Sequence, residues 1–308
     1  MLPNIKCLAF KFEQIPFIIV RDCYPALFSL IITRKSPIRV ALSGTPGIGK
    51  TCFLMYFLWR LLRSELQSSH KFPRILFHNT RGNRFVLEVD GSVLPLIDQP
   101  GYAEAQSTYP DMWYLVDSAE PELTPYLNIL LVTSLNQNLV KHHYKDAIPF
   151  ATWYMPLWTD LEINLLLAAT GDSPTVRANQ KKFGNVPRSL FISKEDYLPV
   201  VERDWSIAVG EFTRRSLISI LSGSEKEARI FHLVVHVEVP EWSRIDPNTN
   251  LPKNDFTTIS LKFASEMSQE AIARNLCEFR SQELESLLNA AAANPIFASL
   301  YDAFACYL

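Results

Sequence analysis

The chain has 308 residues, a formal net charge of −2, 48% hydrophobic residues and 20% charged residues. This length allows about two domains, and the composition is that of a folded globular protein, which excludes extensive disorder. The near-zero charge excludes a general attraction to nucleic acid or anionic membranes, so a polyanion would have to bind at a local site.

The cysteines and the apolar runs indicate the cellular environment. The five cysteines are scattered and form no C-x-x-C pair, which argues against a disulfide framework or a zinc knuckle. No apolar run approaches the roughly 20 residues of a membrane span. Charged residues and Pro16 interrupt the apolar run within residues 1–22, which is therefore a poor signal peptide. We expect a reducing intracellular compartment and no membrane association.

The first predicted elements follow one another as helix, strand, glycine turn and helix. Residues 24–32 carry apolar side chains at helical spacing, and Pro37 ends that segment. Residues 38–42 predict a strand that runs into the turn, and the apolar, helix-forming run from Thr51 predicts a largely buried helix.

Further apolar segments predict the remaining strands. A strand at 74–78 and a hairpin through 84–90 precede a proline-containing surface connection at 91–110. Short continuous apolar runs at 112–116, 128–133 and 150–155 predict inner strands of a mostly parallel, helix-flanked sheet. This pattern predicts an α/β fold of the kind that binds nucleotides.

The predicted organisation has three parts: a lead segment (1–36), a core (37–195) and a mainly helical C-terminal region (196–308). Thr159 and Glu162 have the T-x-x-E order of a capping box, which predicts a helix start. The C-terminal region also contains a β-like stretch at 231–239. Its apolar final helix predicts self-association or a protein partner that covers it.

The glycine turn matches the phosphate-binding pattern G-x-x-x-x-G-K-[ST] between a predicted strand and a predicted helix. In this pattern the main-chain amides and the helix N-terminus cradle phosphates, Lys50 reaches the β- and γ-phosphates, and Thr51 holds Mg²⁺. The alternative is a fortuitous or decayed loop. The predicted nucleotide-binding residues are Gly44, Thr45, Pro46, Gly47, Ile48, Gly49, Lys50, Thr51 and Cys52.

A carboxylate at the end of a later strand should complete the magnesium site. Asp117 ends the run at 112–117 and is the predicted second ligand, although such an Asp also starts turns. Ser118 stands where many ATPases place a catalytic Glu, so Glu120 is the nearest candidate base, with an exposed turn carboxylate as its alternative.

Three further residues are candidates for contact with the γ-phosphate. Ser134 and Asn136 follow the strand at 128–133, where they could instead cap a helix. Arg188 follows a glycine turn and a proline, and it could stabilise phosphate charge or form an ordinary surface ion pair.

The order of these motifs resembles the NTPase domain of the Crinkler effector family, which occurs in oomycetes and some fungi and is related to trypanosome retrotransposon hot spot proteins. The matching segments span nearly the whole chain and lie at residues 17–28, 40–61, 113–121, 130–138, 183–191, 231–237 and 261–267. The resemblance implies P-loop NTPase function and an effector delivered to the host cytoplasm or nucleus. Family members commonly carry a translocation header and a nuclease domain, and neither is evident in these residues.

The sequence favours Mg²⁺-dependent hydrolysis of a nucleoside triphosphate, with ATP preferred over GTP. A non-hydrolysing, nucleotide-dependent interaction module and a P-loop kinase remain alternatives. The basic clusters at 141–145 and 214–215 could contact phosphate or nucleic acid, with a solvated surface as the alternative. His232 and His236 could ligate a metal, with packed, hydrogen-bonded histidines as the alternative. Arg21 precedes the predicted core strand, where it could contact a nucleotide base or a neighbouring subunit.

Overall fold

The computed structural model describes residues 7–12, 15–34, 37–63, 74–79, 84–88, 92–95, 112–121, 128–134, 150–192, 197–213, 232–243 and 256–279. The strands are β1 (Cys7–Phe12), β2 (Ile15–Ile19), β3 (Arg39–Ser43), β4 (Ile75–Asn79), β5 (Arg84–Leu87), β6 (Val93–Pro95), β7 (Trp113–Asp117), β8 (Asn128–Val132), β9 (Ala151–Tyr154), β10 (Val235–Glu238) and β11 (Ser260–Phe263). The helices are α1 (Cys23–Ile32), α2 (Lys50–Leu62), α3 (Asp160–Thr170), α4 (Pro174–Phe183), α5 (Pro187–Leu190), α6 (Leu198–Gly210) and α7 (Glu266–Phe279).

A seven-stranded sheet organises the chain, in the order β6-β5-β4-β7-β8-β3-β9. The neighbours from β4 to β9 are all parallel, whereas β5 pairs antiparallel with both β4 and β6. The carboxyl ends of β3, β7 and β8 therefore lie along one edge, where ligands bind in open α/β sheets. The predicted α/β class with a mostly parallel sheet is confirmed.

Two sequence predictions are wrong in part, the inner strand at 150–155 and the surface connection at 91–110. The segment at 150–155 forms β9, which is an edge strand of the described sheet and not an inner one. Its burial is correspondingly incomplete, and the amide of Tyr154 donates to the carbonyl of Phe256 at 2.8 Å. The predicted surface connection at 91–110 contains the short strand β6, whose Val93 and Leu94 are exposed.

One main core joins the sheet to α1 and α2. All five residues of β3 are buried, as its parallel neighbours on both sides require. Aromatic side chains from the two helices interlock, with Tyr24 packing edge-on against Phe53 and Phe28 packing at a tilt against Phe57. Each such buried ring contributes on the order of 2 kcal/mol. The lead segment thus packs directly on the helix that follows the glycine turn.

Helix α3 begins with the predicted capping box. The Glu162 amide donates to Thr159 Oγ1 at 3.2 Å, and the Thr159 amide donates to Glu162 Oε2 at 2.9 Å. These reciprocal bonds satisfy amides that the first helical turn leaves without partners.

The described part of the C-terminal region contains two helices, α6 and α7, and one pair of strands. β10 and β11 form an antiparallel pair, and they share a second apolar core with α6 and α7. The β-branched composition of residues 234–239 explains why this stretch is extended. No described helix is long and apolar enough to cross a membrane.

Candidate functional site

The glycine turn connects β3 to α2 as the motif requires. Gly47 and Gly49 have φ angles of 86° and 101°, which residues with a Cβ rarely adopt. A Cβ on Gly47 would lie 2.7 Å from the Cβ of Arg188, and one on Gly49 would lie 3.0 Å from the Tyr24 hydroxyl. Both glycines are therefore required by conformation and by close neighbours. We call residues 44–51 the phosphate loop.

Lys50 opens α2 and turns its ammonium group back over the phosphate loop. Its Nζ donates to the carbonyl oxygens of Gly44 at 2.8 Å and Thr45 at 2.9 Å. The pKa of Lys50 is lowered to about 7, mainly by burial and also by the positive charge of Arg188, while the negative charge of Asp117 acts in the opposite direction. An anion beside Nζ would favour the charged ammonium.

Thr51 and Asp117 meet although 66 residues separate them. Asp117 ends β7, and the Thr51 hydroxyl contacts both carboxylate oxygens, at 3.0 and 3.2 Å. A hydroxyl and a carboxylate are oxygen ligands of the type that Mg²⁺ prefers, and both side chains are half-buried. This donor set fits the magnesium ion that the motif implies.

The residues after Asp117 differ in how closely they approach it. Ser118 has a positive φ of 53° and donates from Oγ to Asp117 Oδ1 at 3.2 Å, while its amide donates to the Val132 carbonyl. Glu120 is exposed. The carboxylate nearest in sequence to Asp117 therefore lies in solvent, and a serine stands beside the predicted metal ligand.

Strand β8 brings Ser134 to the same edge of the sheet. The Ser43 hydroxyl, at the end of β3, donates to the carbonyl of Ser134 at 3.2 Å. Ser134 itself is half-buried, and Asn136 lies outside the described residues.

Arg188 lies directly against the phosphate loop. It is in the single turn of α5, and its side chain would contact any Cβ placed on Gly47. Its charge acts on Lys50, as the lowered pKa of that lysine indicates. Among the residues that the structure describes, Arg188 is exposed and makes no salt bridge.

The side of the phosphate loop that faces the core has partners that the sequence did not reveal. Trp158 Nε1 donates to the Ile48 carbonyl at 2.8 Å, and the Tyr24 hydroxyl donates to the Gly49 carbonyl at 2.9 Å. Tyr24 was predicted only as one apolar helical position, and Trp158 was not predicted at all. Their sequence separations from the loop, 110 and 25 residues, leave no local signal.

Arg21 is buried and available neither to a nucleotide base nor to a neighbouring subunit. It is 1% exposed, forms a salt bridge with Glu162 at 2.9 Å and stacks over Trp158. It also donates to the carbonyls of Pro156 and Leu157. The suggested contact with a base or subunit is therefore wrong, because a buried guanidinium needs this many partners within the protein.

Thr45 connects the phosphate loop to the C-terminal hairpin. The Val237 amide in β10 donates to Thr45 Oγ1 at 3.0 Å, so the threonine hydroxyl is already engaged by β10. Of the remaining predicted loop residues, Ile48 is fully buried, whereas Pro46 and Cys52 are half-buried.

The other sequence candidates lie apart from this site. His236 is 2% exposed within β10, and burial with the neighbouring His232 and Lys262 lowers its pKa to about 3. The described residues contain no group of three or more potential metal-ligating His, Cys, Asp and Glu side chains. The basic clusters at 141–145 and 214–215 lie outside the described residues.

Comparison with known proteins gives relatives of one kind. No family model matches the chain. Crinkler effector proteins 15 and 16 of Phytophthora infestans are each 26% identical to it over 267 residues, which is 84% of this chain and 39% of each relative. The resemblance to Crinkler effectors is confirmed. The chain spans about two fifths of the length of these Crinkler proteins.

A solved structure also gives a partial likeness. The Thermotoga maritima RuvB Holliday junction branch migration motor aligns with a TM-score of 0.34 and 12% identity, covering 92% of this chain and 86% of that one.

Proposed function

We propose that this Crinkler-like chain binds a nucleoside triphosphate, ATP in preference to GTP, and hydrolyses it in a Mg²⁺-dependent reaction. The observation that carries the proposal is the meeting of Thr51 with Asp117, because it joins the start of α2 to the end of β7 at the mouth of a phosphate loop. The loop sequence, its glycine conformations and the buried lysine support the same function.

Each residue would have a separate task. The loop amides and Lys50 would hold the phosphates, and negative phosphate charge would keep the Lys50 ammonium protonated. Thr51 and Asp117 would hold Mg²⁺, which supplies charge neutralisation to the phosphate chain when bound. Arg188 would approach the γ-phosphate from the side of Gly47, and Ser134 would contact the γ-phosphate or the attacking water from β8.

The direct test is Lys50→Ala, with Lys181→Ala as the control at an exposed position of α4. We expect ATP binding to weaken by at least about 100-fold in Lys50→Ala, because a buried charge-assisted contact is lost, and phosphate release to become undetectable. Calorimetry and steady-state phosphate release measure the two effects. Turnover equal to that of the unmodified chain in Lys50→Ala would refute the proposal.

A non-hydrolysing, nucleotide-dependent interaction module is the second candidate. Ser118, rather than a carboxylate, follows Asp117, and Glu120 is exposed. These features leave no described carboxylate beside Asp117 to activate water. Tight ATP binding without phosphate release, with or without added partner proteins, would favour this candidate over the hydrolase.

The Crinkler similarity extends the proposal to the setting in which the chain acts. We propose that it is the nucleotide-binding part of an effector that works in the host cytoplasm or nucleus. Expression of a fluorescent fusion in host cells, compared with Lys50→Ala, would test whether location and cellular effect depend on nucleotide binding.

A further inference from the structure

Two successive peptide groups of the phosphate loop are held by buried side chains from outside the motif. The Ile48 carbonyl accepts from Trp158 at 2.8 Å and from Arg21 at 3.4 Å. The Gly49 carbonyl accepts from the Tyr24 hydroxyl at 2.9 Å as well as from the Phe53 amide of α2. Tyr24 is fully buried, so its ring has one environment and its hydroxyl one position.

These bonds determine where the loop amides point. In a trans peptide the carbonyl oxygen and the following amide hydrogen lie on opposite sides of the same rigid plane. A carbonyl of Ile48 fixed toward Trp158 therefore turns the Gly49 amide away from Trp158. In the same way, the Gly49 carbonyl fixed toward Tyr24 turns the Lys50 amide away from Tyr24, toward the side where the motif holds phosphates.

The contact between Tyr24 and the loop is tight as well as polar. A Cβ on Gly49 would lie 3.0 Å from the Tyr24 hydroxyl oxygen, so the loop closely approaches this oxygen. The Tyr24 ring is wedged between other aromatic rings, with centroids 5.4 Å from Phe53 and 5.5 Å from Tyr56. This packing prevents the hydroxyl from moving with the loop.

We propose that Tyr24, with Trp158 and Arg21 beside it, is a positioning residue for phosphate binding. It holds the peptide between Gly49 and Lys50 so that the amide is preoriented for the phosphates shared by nucleoside di- and triphosphates. The inference rests on the proposed function, because it assigns a role at the same phosphate loop. Preorientation lowers the ordering cost of binding, so it acts on affinity and not on the chemical step.

The test is Tyr24→Phe, with Tyr56→Phe as the matched control. Tyr56 belongs to the same aromatic cluster and is also buried, but its hydroxyl accepts from Arg60 at 2.9 Å and does not touch the loop. Each variant removes one hydroxyl and one hydrogen bond. We expect Tyr24→Phe to weaken both ADP and ATP binding about three- to tenfold, with kcat at saturation unchanged, and Tyr56→Phe to bind as the unmodified chain does.

A second readout needs no nucleotide. The backbone amide resonances of Gly49 and Lys50 should shift in Tyr24→Phe and stay in place in Tyr56→Phe. If Tyr24→Phe does not fold, Trp158→Phe replaces it, since it removes the donor to Ile48. The positioning role alone would be overturned if Tyr24→Phe, or Trp158→Phe in its place, bound nucleotide as tightly as the unmodified chain. It would also be overturned if Tyr56→Phe lost as much nucleotide affinity as that variant. An unmodified chain that binds neither ADP nor ATP would overturn the proposed function, and this inference with it.

Discussion

At the residue scale, Gly47 and Arg188 are complementary. The loop can carry only a hydrogen at position 47 because the arginine stem occupies the neighbouring space. This contact explains how a residue more than 130 positions along the chain comes to act electrostatically on Lys50.

The Arg188→Ala variant tests whether the charge of Arg188 beside the phosphate loop contributes to catalysis. We expect kcat to fall about 10- to 100-fold with less than about a threefold change in ATP affinity, because the guanidinium would stabilise charge that develops in the transition state. Arg177→Ala is the control, since Arg177 lies on neighbouring α4 and pairs with Asp172 at the surface. If kcat is unchanged in Arg188→Ala, Arg188 does not stabilise the transition state and is an ordinary surface residue.

The sequence identifies the parts of the site that have short-range signatures. The glycine spacing, the Lys50-Thr51 pair and the acid at the end of an apolar run are all visible without a structure. Tyr24 and Trp158 are not, because each acts through one atom on a main-chain carbonyl far away in sequence. Arg21 was a candidate for external contact because charged side chains are seldom buried, whereas the structure buries it with the Glu162 salt bridge and main-chain carbonyl acceptors.

At the element scale, the inner strands were predicted well and the edges poorly. β3, β7 and β8 lie within one residue of the segments expected from apolar continuity. β6 was missed within 91–110 because this edge strand is short and exposed, so its composition resembles that of a loop. The strand at 150–155 was predicted, but its apolar composition did not reveal that it lies at an edge of the sheet.

Gly184 sets how α4 and α5 meet the C-terminal hairpin. It has a φ of 71°, and an added Cβ would collide with the carbonyl oxygen of Ala264, next to β11. We expect Gly184→Ala to lower the free energy of unfolding by at least about 2 kcal/mol, from strain and displacement together. Gly210→Ala is the control, because nothing lies within 4 Å of a Cβ there. Chemical denaturation measures the free energy of unfolding of both variants. Equal values in Gly184→Ala and Gly210→Ala would show that the turn between α4 and α5 moves away from Ala264 at little cost.

His236 makes the pairing of β10 sensitive to acid. Its pKa in the folded chain is lowered to about 3 by burial, below the ordinary value of 6.5, so the unfolded chain binds more protons between these values. Stability should therefore fall as the pH drops below about 6.5, by up to about 1.4 kcal/mol per pH unit. Denaturation midpoints between pH 7 and 5 should show a smaller decline for His236→Gln, and an identical decline would contradict the assignment.

At the scale of the whole molecule, contacts cross the predicted boundary near residue 195. The Thr45 hydroxyl accepts a hydrogen bond from the Val237 amide of β10. The hydroxyls of Ser265 and Ser268 donate to the Lys182 carbonyl. The division into a core and a C-terminal region stays a prediction, and the predicted partner surface on the final helix lies outside the described residues.

Substitutions at Thr45 test whether its hydrogen bond from the phosphate loop stabilises the hairpin of β10 and β11. Hydrogen exchange at the Val237 amide should quicken about three- to tenfold in Thr45→Ala, because that amide loses its acceptor, and remain slow in Thr45→Ser, which keeps a hydroxyl. Adding ATP should slow exchange at Val237 in the unmodified chain. Identical rates in all three proteins would mean that the hairpin is held by its own core alone.

The bond from Tyr154 to Phe256 also has a consequence for crowded solutions. The unpaired main-chain groups of an edge strand can pair with a strand from another molecule, and many sheets begin to aggregate in this way. Here the chain covers part of the β9 edge with its own fully buried Phe256, whose backbone adopts a φ of 66° as it does so. The β9 side of the sheet is thus partly covered by a segment distant in sequence, and loosening that segment would open this side to strands from other molecules.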